Sequence, residues 1–358
     1  KKRNKIVVEI YKKKLNKNAI FRLNINDQVG LGHLFRILKI IYKIKNKYNI
    51  FLVLDKKIKN FKILNLINSF NLIYLYNKSK YKNQTDDACL FLKKISHIKK
   101  NVIFIDDYRF DIIWHKKVYN FTDKLIVIDD LIKKVHCDFY LNYKHLTDKN
   151  LKKKIQNFSN PGCKLLLGTK YIFLDNKLDK KKKNFKTIKI NIMINFGNSF
   201  NFNKIKIFIK NFYKTQDLKN FNLFICVGVL AKNYQYLIKI SKVYKNIKVI
   251  FHELSLSKYT NKIDLFIGSS GNSIYENSYL NIPSIFISLN ENQKNEINDL
   301  VQLGHYFSFN IKEISNPGFL ILIKVFLNNL ERISKLNKYK SVKINKNNIQ
   351  YILKHLKL

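Results

Sequence analysis

The stretch of sequence that decides the fold is Ala19-Ile-Phe-Arg-Leu-Asn-Ile-Asn-Asp-Gln-Val-Gly-Leu-Gly-His-Leu-Phe-Arg-Ile-Leu-Lys-Ile-Ile-Tyr-Lys-Ile44. Its first five residues are apolar except for one arginine and predict a buried strand. A polar loop with two glycines follows, and apolar residues then recur three and four positions apart, which predicts an amphipathic helix over 34–44. A strand, a loop and a helix in this order form the first unit of a parallel α/β sheet.

The same alternation of short apolar runs and amphipathic segments continues along the chain. The further predicted strands cover residues 50–54, 102–105, 125–128, 188–194, 223–227, 247–251, 265–267 and 284–287. A charged stretch with a four-lysine run interrupts the pattern between 174 and 187. We therefore predict two Rossmann-like parallel-sheet domains in an α/β chain. The N-terminal domain covers 1–175 with an extension at 1–18, the linker 176–187, and the C-terminal domain 188–358.

The composition is that of a globular chain. Of 358 residues, 46% are hydrophobic and 14% aromatic, which excludes wholesale disorder. No apolar run reaches the roughly 18–20 residues of a membrane-spanning helix, and the richest, residues 318–327, is only long enough for a buried helix. The four cysteines and eight histidines lack the spacing of a metal site, and the N-terminus lacks the pattern of a signal peptide. We expect a cytoplasmic protein with no metal and no cofactor.

The net charge of +44 comes almost entirely from lysine: Lys and Arg total 68 against 24 acidic residues, and only five of the 68 are arginine. The lysines are spread along the whole chain beside abundant asparagine and isoleucine, as an AT-rich coding sequence would produce. Surfaces that read bases or clamp phosphates favour arginine, whose planar fork makes bidentate contacts. We interpret the lysines as a solvated coat, and expect a monomer with no specific nucleic-acid partner and no membrane partner.

The first glycine loop, residues 24–33, places a histidine where a ligand would bind. Gly30 and Gly32 precede His33, which stands at the junction of the loop and the first helix. Backbone N–H groups and the positive end of a helix converge there and suit a phosphate or an activated water. Phe35 stands where a dinucleotide fingerprint has its third glycine, which argues against an NAD domain. His33 is a candidate base near neutral pH, with helix capping or packing as the alternative.

Two loops of the second domain are rich in glycine and small polar residues. Asn195-Phe-Gly-Asn-Ser199 suits either a diphosphate contact or a plain turn. Gly268-Ser-Ser-Gly-Asn-Ser-Ile-Tyr-Glu276 joins a predicted strand to a helix, which is the geometry of a phosphate-binding loop. Glu276 lies about one turn into that helix. Its carboxylate can accept hydrogen bonds from both hydroxyls of a ribose, or it can act as a first-turn partner of the helix dipole.

Polar residues also follow or end three other predicted strands. Asn290-Glu-Asn-Gln293 follows the strand at 284–287 and suits ligand contacts or a helix N-cap. The pairs Asp106-Asp107 and Asp129-Asp130 each end an apolar strand, where carboxylates suggest glycosidase chemistry or a metal. Adjacent residues on a strand point to opposite faces, so neither pair forms a dyad by itself, and capping of the following segment is the favoured interpretation.

Taken together, these motifs resemble the UDP-2,4-diacetamido-2,4,6-trideoxy-β-L-altropyranose hydrolases of the pseudaminic acid pathway. The N-terminal signature is Phe21-Arg22-x-Asn24 followed by Gly30-x-Gly32-His33-x-x-Arg36. The similarity continues in family order at residues 105–108, 128–131, 136–138, 167–171, 195–197, 267–276 and 291–293. This family is similar in fold to the two-domain glycosyltransferases of the lipid II N-acetylglucosaminyltransferase type. The resemblance therefore implies a GT-B architecture, with the two domains facing across a cleft.

The resemblance also implies a UDP-sugar substrate in that cleft and a metal-independent reaction. Glu276 would bind the ribose and the loop at 268–273 the diphosphate. His33 would be the general base that activates a water for attack at the anomeric carbon, releasing UDP and the free sugar with inversion. Tyr108 and Asn292 match family positions that line the sugar pocket. The expected substrate-binding set is Arg22, Asn24, Gly30, Gly32, Arg36, Tyr108, Gly197, Asn198, Ser269, Ser270, Gly271, Asn272, Ser273, Glu276, Glu291, Asn292 and Gln293.

Two positions depart from the family pattern. Asn24 stands where the family usually has aspartate, and Phe196 replaces the first residue of a Gly-Gly pair, where it would narrow the diphosphate site. Two alternatives to the hydrolase stay open, and the second of them depends on these departures. One is a GT-B glycosyltransferase that uses a UDP-sugar donor, and the other is a catalytically silent basic binding protein.

Overall fold

The computed structural model describes residues 15–25, 31–76, 80–145, 149–175, 177–179, 189–214, 221–251, 256–289, 297–346 and 348–358. Most of the predicted extension at 1–18 and of the predicted linker at 176–187 lies outside these ranges. The domain boundaries therefore stay a prediction.

The first half of the chain forms a seven-stranded parallel sheet in the order β3-β2-β1-β4-β5-β6-β7. Its elements are β1 (Asn18–Leu23), α1 (Gly32–Ile44), β2 (Asn49–Leu54), α2 (Phe61–Ile67), β3 (Asn71–Tyr74), α3 (Gln84–Lys94), β4 (Val102–Asp106), α4 (Ile112–Tyr119), β5 (Leu125–Ile128), β6 (Phe139–Asn142), α5 (Lys149–Phe158) and β7 (Lys164–Leu167). A 3₁₀ turn, Thr169–Tyr171, follows.

The second half forms a six-stranded parallel sheet in the order β10-β9-β8-β11-β12-β13. Its elements are β8 (Ile190–Asn195), α6 (Lys206–Lys214), β9 (Phe221–Val227), α7 (Gln235–Val243), β10 (Ile247–Phe251), α8 (Ser257–Thr260), β11 (Leu265–Ser269), α9 (Ser273–Leu280), β12 (Ser284–Ser288), α10 (Ile297–Gly304), β13 (Phe307–Asn310), α11 (Pro317–Asn328), α12 (Leu330–Lys338) and α13 (Asn348–Leu356). Short 3₁₀ turns cover Phe202–Ile205 and Glu313–Ser315.

The predicted fold class is confirmed, and each of the nine predicted strands is present. Four strands were not predicted: β3, β6, β7 and β13, each of four residues. Three of them are edge strands whose residues are mostly only partly buried, and within its bounds none of the four strands has more than three apolar residues in succession. Apolar runs this short cannot be told from helix segments by periodicity, and this holds also for β6, which is buried inside its sheet.

In each sheet the strand order reverses at one point, and ligands of open α/β sheets bind at such points. In the first sheet this point lies between β1 and β4, where Leu23 pairs with Asp106. In the second it lies between β8 and β11, where Asn195 pairs with Gly268. The loops that leave these strand ends carry the candidate residues of the sequence.

The two halves share one apolar cluster. It contains Phe21 and Phe104 of the first sheet, whose rings stack at 4.5 Å, together with Tyr279 of α9. The last helix, α13, returns to the first half, where Asn348 Nδ2 donates to the carbonyl of Thr169 at 3.3 Å. Burial of apolar surface therefore holds the halves together.

The most apolar segment forms α11, a helix of 12 residues. Asn316 caps it by accepting from the N–H of Gly318 at 2.8 Å, and Pro317 takes the first helical position, where a missing N–H leaves no bond unmade. Phe319 and Ile323 pack into a second apolar core, which lies within the second half of the chain, whereas Lys324 is exposed. Within the described ranges, no helix combines the length and apolar content needed to span a bilayer.

His115 makes the stability of the fold depend on pH. Its ring in α4 is 1% exposed, and neither ring nitrogen has a hydrogen-bond partner among the described residues. Burial lowers the pKa of His115 to about 3. In the unfolded chain a histidine titrates near pH ~6.5. Between these two values the unfolded chain binds a proton that the folded chain does not, so the free energy of unfolding decreases as the pH falls.

We predict that His115→Leu removes this contribution. Between pH 7.5 and pH 5 the wild type should lose about 2 kcal/mol more of its free energy of unfolding than the variant does. Urea titrations at both pH values measure the difference. His97→Leu, at an exposed position, is the control and should follow the wild type. An equal loss in His115→Leu and the wild type would contradict the prediction.

Candidate functional site

A cleft of about 580 Å³ lies between the carboxyl ends of the two sheets. The first half contributes the start of α1, Tyr108, Asp130 and Tyr143. The second half contributes residues 195–199 after β8 and 269–276 at the end of β11 and the start of α9. The loops from both points of strand reversal therefore meet in one cavity.

His33 lies in the first turn of α1, on the wall of this cleft. Its Nδ1 is hydrogen-bonded to a carboxylate oxygen of Asp106, and its ring meets the ring of Tyr108 edge-on at 4.4 Å. Nε2 has no hydrogen-bond partner in the described part of the chain. The side chain is 5% exposed, so the ring is held firmly while it still borders the cavity.

Asp106 is held by the guanidinium of Arg36. Nε and Nη2 of Arg36 donate to the two oxygens of the carboxylate, and Nη1 donates to the hydroxyl of Tyr143 at 2.9 Å. Burial disfavours the charged form of Asp106, but the charge of Arg36 and the hydrogen bonds from Arg36 and His33 outweigh it and keep the pKa of Asp106 below its usual range. Asp106 is therefore ionised at neutral pH.

An ionised Asp106 decides which nitrogen of His33 carries the proton. Nη2 of Arg36, which can only donate, also lies 3.0 Å from Nδ1, but the contact of Nδ1 with Asp106 is shorter. Because a carboxylate can only accept, Nδ1 is assigned as the protonated nitrogen, and Nε2 keeps its lone pair. The same carboxylate stabilises the imidazolium that forms when Nε2 takes up a proton. In this arrangement Nε2 could accept a proton at the edge of the cavity.

In the second half, glycines let the ends of β8 and β11 approach closely. A Cβ at Gly268 would lie 1.9 Å from the carbonyl oxygen of Asn195, so no side chain fits there. Gly197 has φ of 86°, a conformation that favours glycine, and its N–H donates to Asn195 Oδ1 at 2.9 Å. A Cβ on Gly197 would lie 3.9 Å from Ser269 Oγ, so the two loops are neighbours across the strand ends.

The Gly/Ser loop, residues 268–273, leads from β11 into α9. The hydroxyl of Ser273 donates to the carbonyl of Ser269 at 2.6 Å, which tightens the loop. No side chain caps α9, which begins at the cleft. A Cβ on Gly271 would meet no atom within 4 Å, so the space beside it belongs to the cavity. The arrangement suits an anion, because the positive end of the helix dipole lies beside the open space. The N–H groups of Ile274, Tyr275 and Glu276 already donate to the carbonyls of Gly271 and Asn272.

Glu276 follows in the first turn of α9 and faces the other half. Its carboxylate lies 3.7 Å from Nζ of Lys39 in α1, and this ammonium also donates to the carbonyl of Phe173 at 2.7 Å. Burial raises the pKa of Glu276, while Lys39 acts in the opposite direction. The side chain is 28% exposed, so its oxygens remain accessible from the cleft.

The predicted substrate-binding residues divide into three groups. The cleft lining includes Gly32, Arg36, Tyr108, Gly197, Asn198, Ser269, Ser270, Gly271, Asn272, Ser273 and Glu276, together with the predicted base His33. Gly30, Glu291, Asn292 and Gln293 lie outside the described residues. Arg22 and Asn24 are described but do not line the cleft.

Arg22 is corrected to a structural position. Its guanidinium is fully buried, and Nη2 lies 2.6 Å from a carboxylate oxygen of each of Asp87 and Asp55. A buried guanidinium needs such partners, and here they turn it away from the cavity. Asn24 is buried at the end of β1. The ring of Phe196 is 3% exposed and stacks on Phe200 at 4.4 Å, so it is packed into the second core.

The sequence did not identify Asp106 as a partner of His33. The sequence favours capping for the pair Asp106-Asp107. Asp107 fits that interpretation, because it accepts from the N–H of Arg109 at 3.0 Å. Asp129 likewise accepts from the N–H of Leu131 at 2.9 Å. The alternation of a strand was the available signal, because it sends Asp106 and Asp107 to opposite sides.

Comparison with known proteins supports the fold. No protein-family model matches the chain. An uncharacterized protein of Methanocaldococcus jannaschii is 26% identical over 296 residues, which are 77% of this chain and 56% of that protein. The chain therefore spans about half the length of the curated relative that it matches.

Solved GT-B proteins superpose on nearly the whole chain. MnaA of S. aureus, solved with UDP, gives a TM-score of 0.60 at 11% identity over 95% of this chain and 96% of that one. MurG of Acinetobacter baumannii gives 0.59 at 10% identity over 95% and 99%. A UDP-GlcNAc 2-epimerase of Neisseria meningitidis bound to UDP-GlcNAc gives 0.55 at 11% identity over 94% and 99%. The fold of this chain is therefore GT-B.

The glycines of the Gly/Ser loop give a test of this geometry. We expect Gly268→Ala to lower the free energy of unfolding by at least about 3 kcal/mol, because its Cβ would collide with backbone. Gly271→Ala should change it by less than about 1 kcal/mol, because its Cβ meets open space. Urea denaturation of both variants makes the comparison. Similar losses in the two variants would show that the loop does not have this shape.

Proposed function

We propose that this chain hydrolyses a UDP-sugar, UDP-2,4-diacetamido-2,4,6-trideoxy-β-L-altropyranose, to UDP and the free sugar. Water would attack the anomeric carbon, the bond from that carbon to the diphosphate oxygen would break, and the configuration would invert. The ordered motifs of the hydrolase family support the choice of reaction, and the GT-B fold supports a nucleotide-sugar ligand. The observation that carries the proposal is the pairing of His33 with Asp106 at the wall of the cleft.

The base would work through Nε2 of His33. With Nδ1 donating to Asp106, Nε2 can accept a proton from a water in the cleft as the oxygen attacks carbon. Arg36 keeps Asp106 ionised, and Asp106 in turn stabilises the imidazolium. The proton ends on the imidazole, and the electron pair of the broken bond leaves with the diphosphate.

The leaving group would be bound by the second half. The diphosphate fits the Gly/Ser loop, where the uncapped start of α9 and the open space beside Gly271 receive an anion. Stabilising the charge that develops on the diphosphate is the main electrostatic task in such a reaction. Glu276, in the same helix, would accept hydrogen bonds from the ribose hydroxyls. These hydrogen bonds would replace its present contact with Lys39.

The main rival is a GT-B glycosyltransferase, which would use the same loop and the same donor but would need an acceptor. Release of UDP in the absence of any acceptor separates the two activities. The third interpretation, a silent binding protein, rested on Asn24 and Phe196. Asn24 is buried and the Phe196 ring stacks on Phe200, while residue 196 still borders the cleft, so this interpretation remains an alternative. It predicts salt-sensitive binding to nucleic acid that does not depend on UDP.

The proposal is tested with the UDP-sugar in ¹⁸O-labelled water. We expect one label in the released sugar and none in UDP, which locates the attack at carbon. His33→Ala should reduce kcat about 10²–10⁴-fold with little change in the Kd of UDP, because the ring acts on water. His97→Ala, at an exposed site, is the control. Label in UDP, or full turnover by His33→Ala, would reject this mechanism.

A second prediction concerns the nucleotide. Glu276→Ala should weaken UDP binding about 10–100-fold in titration calorimetry, since hydrogen bonds to a charged group are lost. Glu331→Ala is a matched control: Glu331 is also a first-turn glutamate beside a lysine, at 3.0 Å from Lys335, but it lies on α12 at the surface. Equal affinities for UDP in the Glu276 variant and the control would remove Glu276 from the ribose site.

A further inference from the structure

Two tyrosines from different halves meet next to the histidine. Tyr143 follows β6 in the first half, and Tyr275 lies in the first turn of α9 in the second. Their ring centroids are 6.0 Å apart with an interplanar angle of 80°, the edge-to-face arrangement that aromatic pairs favour. Both side chains are more than nine-tenths buried. The contact is therefore a fixed part of the boundary between the halves.

Tyr143 is connected to His33 through two charged groups. Its hydroxyl accepts from Nη1 of Arg36 at 2.9 Å, and the guanidinium carbon of Arg36 lies 5.6 Å from the centre of its ring. The other nitrogens of Arg36 hold Asp106, which holds Nδ1 of His33. The position of the Tyr143 ring therefore limits where the guanidinium, the carboxylate and the imidazole can lie.

Tyr275 is itself hydrogen-bonded to the first half. Its hydroxyl accepts from the backbone N–H of His145 at 3.2 Å, and Nε2 of His145 is hydrogen-bonded to Oε1 of Gln302 in α10 at 2.6 Å. The next residue along α9 is Glu276, and the helix begins at the Gly/Ser loop. One short helix thus carries the proposed ribose contact, the start of the proposed diphosphate site and the ring that touches Tyr143.

We propose that Tyr275 is a positioning residue for His33, acting from the nucleotide half through Tyr143, Arg36 and Asp106. The inference rests on the proposed function, in which His33 is the base. Its consequence is that the imidazole is correctly held only when α9 is in place against the first half. Loss of the Tyr275 ring would leave a cavity beside Tyr143 and allow the guanidinium, and with it the carboxylate, to shift.

The matched control lies on the same helix. Tyr279 is one turn after Tyr275 and is equally buried, at 8% exposure for each. The ring partners of Tyr143 are Phe173 and Tyr275. A purely structural effect of removing a buried ring from α9 should therefore be the same in Tyr279→Ala and Tyr275→Ala. An effect on His33 should be confined to Tyr275→Ala.

The experiment uses the full chain and two readouts. The first is the ¹⁵N chemical shifts of the His33 ring in the ligand-free protein at alkaline pH, assigned by their absence in His33→Ala. The second is kcat and KM with the UDP-sugar. For Tyr275→Ala we expect the Nδ1 and Nε2 shifts to converge, because the two tautomers mix, and kcat to fall about 10–100-fold with KM nearly unchanged. Tyr275→Phe should recover most of this loss, since it keeps the ring.

The outcomes separate this inference from the proposed reaction. Wild-type ring shifts in Tyr275→Ala, or the same change in Tyr279→Ala, would overturn the positioning role even if the UDP-sugar is hydrolysed. Changed ring shifts specific to Tyr275→Ala would support that role even if the wild type does not hydrolyse the sugar, in which case the proposed reaction fails alone.

If Tyr275→Ala does not fold, Tyr275→Leu keeps most of the buried volume, and Tyr143→Phe removes the acceptor of Arg36. Both should show the same convergence of shifts.

Discussion

The carboxylate of Asp106, buried between Arg36 and His33, is the interaction on which the site depends. A buried charge without partners is costly, and the bidentate guanidinium together with the imidazole offsets that cost. Once ionised, the carboxylate selects one tautomer of His33 and fixes the plane of its ring. The two strands that bring these groups together, β1 and β4, are neighbours only because the order of the sheet reverses there. The chemistry of the site thus follows from the topology of the sheet.

The second sheet repeats the topology and uses it differently. At its point of reversal Asn195 pairs with Gly268, and the residues at 195–199 and 269–273 that border the cavity are mostly glycine, serine and asparagine. Gly268 is required because the backbone of Asn195 approaches it closely, and Gly197 is favoured by its positive φ. Neither reason applies to Gly271. The first sheet therefore offers a titratable side chain, and the second offers a loop of small residues at the start of a helix. Neither half by itself holds both, so the cleft exists only when the halves face each other.

Much of this could be read from the sequence. The periodicity of the central strands and of α1 predicted the sheets, and the glycine loops after strands predicted where the cleft would form. The roles of Asp106 and Arg22 could not be predicted, because they depend on contacts between segments that are distant in the sequence. The pairing of His33 with Asp106 requires the register of β4 beside β1, and the fate of Arg22 requires Asp87, a residue 65 positions away. The four missed strands failed for another reason, because apolar runs of three residues or fewer cannot be told from helix segments by periodicity.

The spacing of polar residues along α1 has one more consequence. His33, Arg36 and Lys39 follow one another at intervals of three and form a stripe that drifts slowly around the helix. The stripe touches Asp106 at one end and Glu276 of the other half at its far end. A single insertion within this segment would rotate everything beyond it by about 100°. Insertions and deletions should therefore be absent from α1 and occur in the loops around it. Any change to the binding residues of one half has to keep the length of this helix, because both halves contact it.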